Sequence, residues 1–141
     1  IPTFAPEHFS MIRNKDTMKR KQFVKGVEQI AQEGAIQIFT ELGGGMEEII
    51  VGVVGVLQFE VLSYRLKNEY NVDIISTPLP YQYIRWIKNK DVDFKKLNLS
   101  SDTKKVQDLK GQYLLLFSNE WGVRWATDKN PDLVLAEFSQ N

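Results

Sequence analysis

Lys15, Lys19, Arg20, Lys21 and Lys25 place five cations between positions 15 and 25 of this chain. Arg65 and Lys67 add a smaller basic pair further on. Permanent positive charges at this spacing suit an anionic partner, either RNA phosphates or an acidic protein surface. The same residues also suit a solvated helix face. The spacing sets the first set at the start and along the exposed side of a helix. Positive charge at a helix N-terminus opposes the macrodipole, so stability alone does not account for the placement. Tyr81, Tyr83, Trp86, Trp121 and Trp125 carry faces on which bases could stack, but core packing is the commoner use of such residues.

Catalytic chemistry has few candidates. His8 is the single histidine and the chain has no cysteine. No histidine-based metal cluster, thiolate site, disulfide or cysteine nucleophile can be built from it. No nucleophile-elbow sequence accompanies the serines. The loop Gly43-Gly44-Gly45 lacks the Lys-Ser/Thr pair that opens a helix behind a phosphate-binding loop, and reads as a strand connection. Asn14-Lys15-Asp16 and Asn89-Lys90-Asp91 are one residue short of a guanine-reading motif. The fragment's own residues therefore predict no cofactor and no metal. Basic and acidic residues balance at 18 each, which argues against a uniformly basic nucleic-acid grip. No apolar run approaches the ~18 residues of a membrane span. The chain opens at Ile1 rather than Met, and reads as a piece of a longer protein.

The elements that would position these residues follow from periodicity. His8 to Ile12 reads as a strand. Asn14 or Asp16 can cap a helix over roughly Met18 to Gln32, whose inward stripe is Phe23, Val27, Ile30 and Ala31. Ala35 to Thr40 and Glu48 to Val54 read as strands joined across the glycine loop. Gly55 then turns the chain into a helix at Val56 to Tyr70, with Phe59, Leu62, Leu66 and Tyr70 inward. Asn71 suits a left-handed cap before a strand at Val72 to Thr77. This order, βαββαβ, predicts an α+β fold with a ferredoxin-like sandwich over residues 1–78.

Pro78 and Pro80 suggest a boundary, with a smaller mixed α/β subdomain over 79–141. Tyr81 to Ile87 and Tyr113 to Phe117 read as strands there. Ser101 or Asp102 can cap a short helix to about Leu109. Asn119 can cap a helix from Glu120 to Lys129, preferred over a hairpin through Trp121, Val123 and Trp125. Leu133 to Phe138 reads as a last strand.

Several strings resemble a known family. Phe4-Ala-Pro-Glu-His-Phe9, Lys15-Asp16, Lys19-Arg-Lys-Gln22, Lys25-Gly26, Glu33-Gly34-Ala35 and Gln37-Ile-Phe39 resemble the start of the C-terminal domain of bacterial peptide chain release factor three. Gly52-Val-Val-Gly-Val-Leu-Gln-Phe-Glu60 and Tyr64-Arg-Leu-Lys-Asn-Glu-Tyr70 are the most specific part. Elongation factor G has a similar unit but carries Glu-Leu-His where this chain has Val56-Leu57-Gln58-Phe59. The resemblance covers nearly the whole chain.

It implies a cytoplasmic translational GTPase acting in termination, whose nucleotide-driven rearrangement helps remove a class I release factor from the ribosome. GTP and Mg would belong to an N-terminal domain absent from this chain. This piece would be a non-hydrolysing module that faces small-subunit protein and rRNA and couples to its own GTPase domain. Lys15, Lys19, Arg20, Lys21, Lys25, Arg65 and Lys67 are the candidate contacts, and no membrane role is implied. The alternatives are a ferredoxin-like small-ligand-binding or regulatory domain, and a piece of an elongation-factor-G-like protein.

Overall fold

The computed structural model describes residues 4–140. β1 (His8–Asn14) leads through a 3-10 turn into α1 (Arg20–Gln32). β2 (Gln37–Glu41) and β3 (Glu48–Val53) form an antiparallel pair, α2 (Leu57–Tyr70) follows, and β4 (Ile74–Leu79) completes the unit. The strands lie in the order β4-β1-β3-β2, as in a ferredoxin-like split, and every pairing among them is antiparallel. Each β-α-β half skips one strand, so α1 and α2 fall on the same face of the sheet.

Local chemistry fixes the helix ends. The Asp16 carboxylate accepts from the backbone N–H of Met18, which starts the 3-10 turn before α1. Asn71 adopts the left-handed conformation at φ 57°, and the N–H groups of Asn71 and Val72 reach back to the carbonyls of Lys67 and Leu66. That closure leaves the last turn of α2 with satisfied carbonyls.

The helices bury their inward stripes against the sheet. Phe23, Val27 and Ile30 from α1 meet Leu62 and Leu66 from α2 over Ile12, Ile38, Ile49, Val51 and Val53. The helices run antiparallel, since Lys19 reaches Asn71 at one end while Glu33 meets Arg65 at the other. Gly26 sets how close they come. A Cβ there would lie 2.7 Å from Leu66 Cδ2 and 2.9 Å from Tyr70 Cγ. The missing side chain lets one backbone sit directly on the other helix's leucine.

The rest of the chain extends the same sheet to eight strands, in the order β4-β1-β3-β2-β6-β7-β5-β8. β5 (Tyr83–Ile87), β6 (Lys104–Asp108), β7 (Tyr113–Phe117) and the two-residue β8 (Leu135–Ala136) are again antiparallel neighbours. α3 (Glu120–Lys129) begins where the Asn119 side chain accepts from Gly122 N–H at 3.0 Å. The helix, not the hairpin, is what the sequence forms there.

One element departs from expectation. The short helix expected between Ser101 and Leu109 is instead strand β6. Phe39 to Glu41 of β2 pair with Val106 to Asp108 on one side, and β7 pairs on the other. The apparent cap residues form a turn instead, with Thr103 N–H donating to Ser100 O at 3.1 Å. The last strand is also shorter than expected. The opposite sheet face carries its own core, with Phe9, Phe39, Ile50, Trp86, Leu114 and Leu116.

Candidate functional site

The seven basic residues separate into two groups by what they touch. Arg65 on α2 is engaged inside the fold. Its guanidinium donates to Glu33 at 2.6 and 3.0 Å and to Glu69 at 2.8 and 3.0 Å. One bond pair spans a turn of α2 and the other ties α2 to the end of α1. Both carboxyls are held below their ordinary value, first by the hydrogen bonds from Arg65. Lys67 donates to Asp73 at 2.9 Å, which lowers that carboxyl, and Lys15 and Lys19 nearby add to the effect. Arg20 donates to Glu47 at 3.1 Å, a pair open to solvent on both sides.

Lys19 explains part of the awkward charge placement. It stands at the N-cap of α1, where no side chain caps the helix and no acid occupies the first turn. Its ammonium, however, donates to the carbonyl of Asn71 at 2.9 Å. A positive charge there complements the C-terminal end of α2. The cost at one helix start is offset at the other helix's end.

Lys15, Lys21 and Lys25 remain. All three are exposed, and none makes an ion pair or a side-chain hydrogen bond among the described residues. Lys21 and Lys25 lie one turn apart on the outward side of α1, opposite Phe23, Val27 and Ile30. Like charges at this spacing repel mildly. The fold gains nothing visible from Lys21 and Lys25, whereas Lys15 adds to the positive field at Asp73.

The aromatic candidates also divide. Trp86 is buried in the core, and Tyr81 packs edge-on against Phe9. Trp121 is 62% exposed and lies 5.3 Å from the Trp125 ring, whose indole N–H donates to Asn98. His8 is exposed at the start of β1, opposite Val53 across the ladder. Gly43 to Gly45 lead into strand β3 and not into a helix. No three His, Asp or Glu residues converge as a metal site among the described residues.

An open cleft of about 600 Å³ lies where β6 peels away from the first residues of β2, lined by Gly34, Ile36, Ile38, Trp86, Asp108 and Leu109. Its carboxylate is already occupied. Asp108 accepts from the N–H groups of Lys110 and Gln112 at 3.0 and 2.9 Å, and holds its own turn together. The cleft therefore offers a small ligand mainly apolar wall.

Sequence reasoning missed two features of this helical layer. The Arg65 bridge depends on Glu33, 32 positions away, and nothing local announces it. The outward residues Leu57, Val61 and Tyr64 of α2 were missed for a different reason. Their four- and three-residue spacing is visible in the sequence, but the stronger stripe beside it drew the assignment.

The comparisons with known proteins agree with one another. Residues 1–127 match the family model described as class II release factor RF3, C-terminal domain. The chain is 41% identical over 140 residues to a protein of Symbiobacterium thermophilum named peptide chain release factor 3, covering 99% of this chain and 26% of that protein. Proteins of the same name from Streptococcus mutans and Staphylococcus saprophyticus are each 44% identical, over 97% and 96% of this chain. They are covered over 26% and 25% of their own length, so the chain spans only a small share of the curated relatives it matches. No helix among the described residues is long and apolar enough to cross a membrane. With the ferredoxin-like strand order and the family match in agreement, the chain belongs to the family of class II release factor C-terminal domains.

Proposed function

We propose that this chain is the ribosome-facing, domain-coupling module of a cytoplasmic release factor. The factor promotes recycling of class I release factors at the end of translation. Its GTP and Mg belong to a domain outside this chain, and hydrolysis takes place there. Residues 79–141 serve as the part of the module particular to the release factor. The small-subunit contact, with rRNA or a ribosomal protein, falls on the outward side of α1.

One observation carries this reading. Among seven candidate cations, Lys21 and Lys25 are the exposed ones that pair with no acid in the described residues and affect none, while exposed Lys15 makes no ion pair but acts on Asp73. Exposed ammonium groups spend nothing on internal desolvation, and they attract phosphate or carboxylate at long range. The family match to a release factor domain supports a ribosomal partner for them.

The test uses the full-length factor with Lys21→Glu and Lys25→Glu together. Ribosome association should weaken, while melting of the 141-residue chain should stay level or rise slightly, because an acid near the start of α1 suits its dipole. Unchanged affinity with intact folding would return these lysines to a plain solvated face.

A further inference from the structure

The fold uses its tryptophans differently. Trp86 is 1% exposed and belongs to the core, whereas Trp121 on α3 is 62% exposed. An indole in the core stabilises the fold by its burial, and an indole left in water does so very little. Trp121 and Trp125 sit one helical turn apart, with ring centroids 5.3 Å apart and planes tilted by 34°. One turn further on, the Lys129 ammonium lies 5.2 Å from the centre of the Trp125 ring. Trp125 is also pinned at its edge, since its indole N–H donates to Asn98 at 3.2 Å. Trp125 is thus fixed from two sides, and Trp121 rests on it with most of its own surface in solvent.

The surroundings of the pair decide what suits it. The outward neighbours on α3 are Glu120, Arg124, Thr127 and Asp128, all exposed. Val123 turns inward and packs with the core. The rings therefore form an aromatic island among charges, not the continuous apolar area at the centre of a protein interface. Flat π faces bordered by cations are what single-stranded nucleic acid uses, with bases on the rings and phosphates near the cations. Arg124 and Lys129 border the rings, and the nearest acid to Arg124 is Glu120 at 3.9 Å, with both side chains in solvent. Lys95 and Lys96 come just before Asn98, the residue that holds Trp125. Glu120 and Asp128 keep this surface from gripping RNA by charge alone, so the rings must supply part of the hold.

We propose that Trp121, backed by Trp125 and Lys129, is a stacking platform for an unpaired RNA base. This rests on the reading of the chain as a ribosome-facing module, and it gives residues 79–141 a contact of their own. Sheet register sets the platform on the same side as the lysines of α1. Partners across a ladder project to one face. Thr40 pairs with Gln107, and Gln107 with Tyr113. Ile38 and Thr40 therefore share a face with Tyr113, Leu115 and Phe117. α1 and α2 pack on Ile38, and Ala126 of α3 packs with Leu115 and Phe117. α1 lies against β2 and α3 against β7, two strands along, or about 10 Å across the sheet. Lys21, Lys25 and Trp121 thus look out from one side of the molecule, where a single RNA surface meets phosphate contacts at α1 and a base contact at α3.

Two variants of the full-length factor test the stacking. Trp121→Leu keeps an apolar side chain and removes the π face, while Trp121→Phe keeps a π face. Ribosome affinity should fall about fivefold or more with leucine, the scale of one stacked base, and should stay within about twofold with phenylalanine. Melting of the 141-residue chain should be level in both, because the side chain is exposed. Unchanged affinity with leucine would overturn the proposal. Equal losses with both variants would overturn it too, since stacking tolerates any aromatic face. The class of partner is read by photo-cross-linking. A benzophenone maleimide is attached at Trp121→Cys, and separately at Lys21→Cys, in a full-length factor with no other cysteine, and the ribosome complexes are irradiated. Adducts from position 121 should be removed by ribonuclease. No adduct, or an adduct to protein alone, would overturn the proposal. Position 21 reads the α1 contact in the same way, so the platform and the lysine contact can fail separately.

Discussion

The two helices on one sheet face are built to different rules. α1 follows the amphipathic pattern, with Phe23, Val27 and Ile30 buried and Lys21 and Lys25 in solvent. α2 buries Leu62 and Leu66 equally well but presents Leu57, Val61 and Tyr64 outward. Both helices cover the same core, so packing against the sheet does not explain the difference. The difference lies in what each outward side would meet. α1 offers uncompensated positive charge, and α2 offers uncompensated apolar area. One suits a charged partner approached through water, and the other suits a surface that excludes it. The inward sides are what the fold requires, and the outward sides are where this family's function is to be sought.

That division can be broken first at its inward side. Leu66→Ala removes a fully buried side chain that touches both helices, and should cost about 2–5 kcal/mol. A denaturant melt of the 141-residue chain measures it. A midpoint equal to the unsubstituted chain would mean that the inward face of α2 is misassigned.

Gly26→Ala should cost less, and its sign is informative. Alanine in place of a mid-helix glycine ordinarily gains about 1 kcal/mol of helix propensity. Here the new methyl would press on Leu66 and Tyr70 from under 3 Å, and overpacking of this kind costs about 1–3 kcal/mol. The expected result is a net loss of about 1 kcal/mol or a little more. A gain would show that the helices can move apart freely.

Arg65→Ala should cost less again, under about 1 kcal/mol, the scale of an exposed ion-pair network. Its dependence on pH identifies the cause. Glu33 and Glu69 have carboxyls lowered in the fold from 4.5, so their contribution is present above that value. It is lost as pH falls through the lowered folded values. The melting difference between Arg65→Ala and the unsubstituted chain should hold at neutral pH and shrink in acid below about 4.5. A difference that stays constant into acid would assign the loss to packing of the arginine stem.

Much of this frame is legible in the sequence where the determinants are local. Asp16, Asn71 and Asn119 are helix-end residues with the required side chains, and each acts as one. The stripes of α1 and α2 repeat at helical spacing, and the βαββαβ order is enough to indicate the sheet. β6 is illegible for a physical reason. Lys104-Lys105-Val106-Gln107-Asp108 has one buried apolar residue, and it becomes a strand because β2 and β7 supply partners on both sides. Ser101 and Asp102 look like a helix cap only until those partners are known. The site is legible in composition but not in pairing. The sequence offers seven candidate cations, and only the fold shows that Arg65, Lys67 and Arg20 are spent on Glu33, Glu69, Asp73 and Glu47.

The central claim is that the outward lysines of α1 act on a partner and not on the fold. The salt dependence of ribosome association by the full-length factor tests it most directly, comparing the unsubstituted protein with Lys21→Glu/Lys25→Glu. If the lysines meet phosphates, affinity of the unsubstituted factor falls steeply with salt. The variant's slope is shallower by about one unit per lysine, and the two curves converge at high salt. Parallel curves with equal affinity throughout would contradict the claim and leave Lys21 and Lys25 as a solvated helix face.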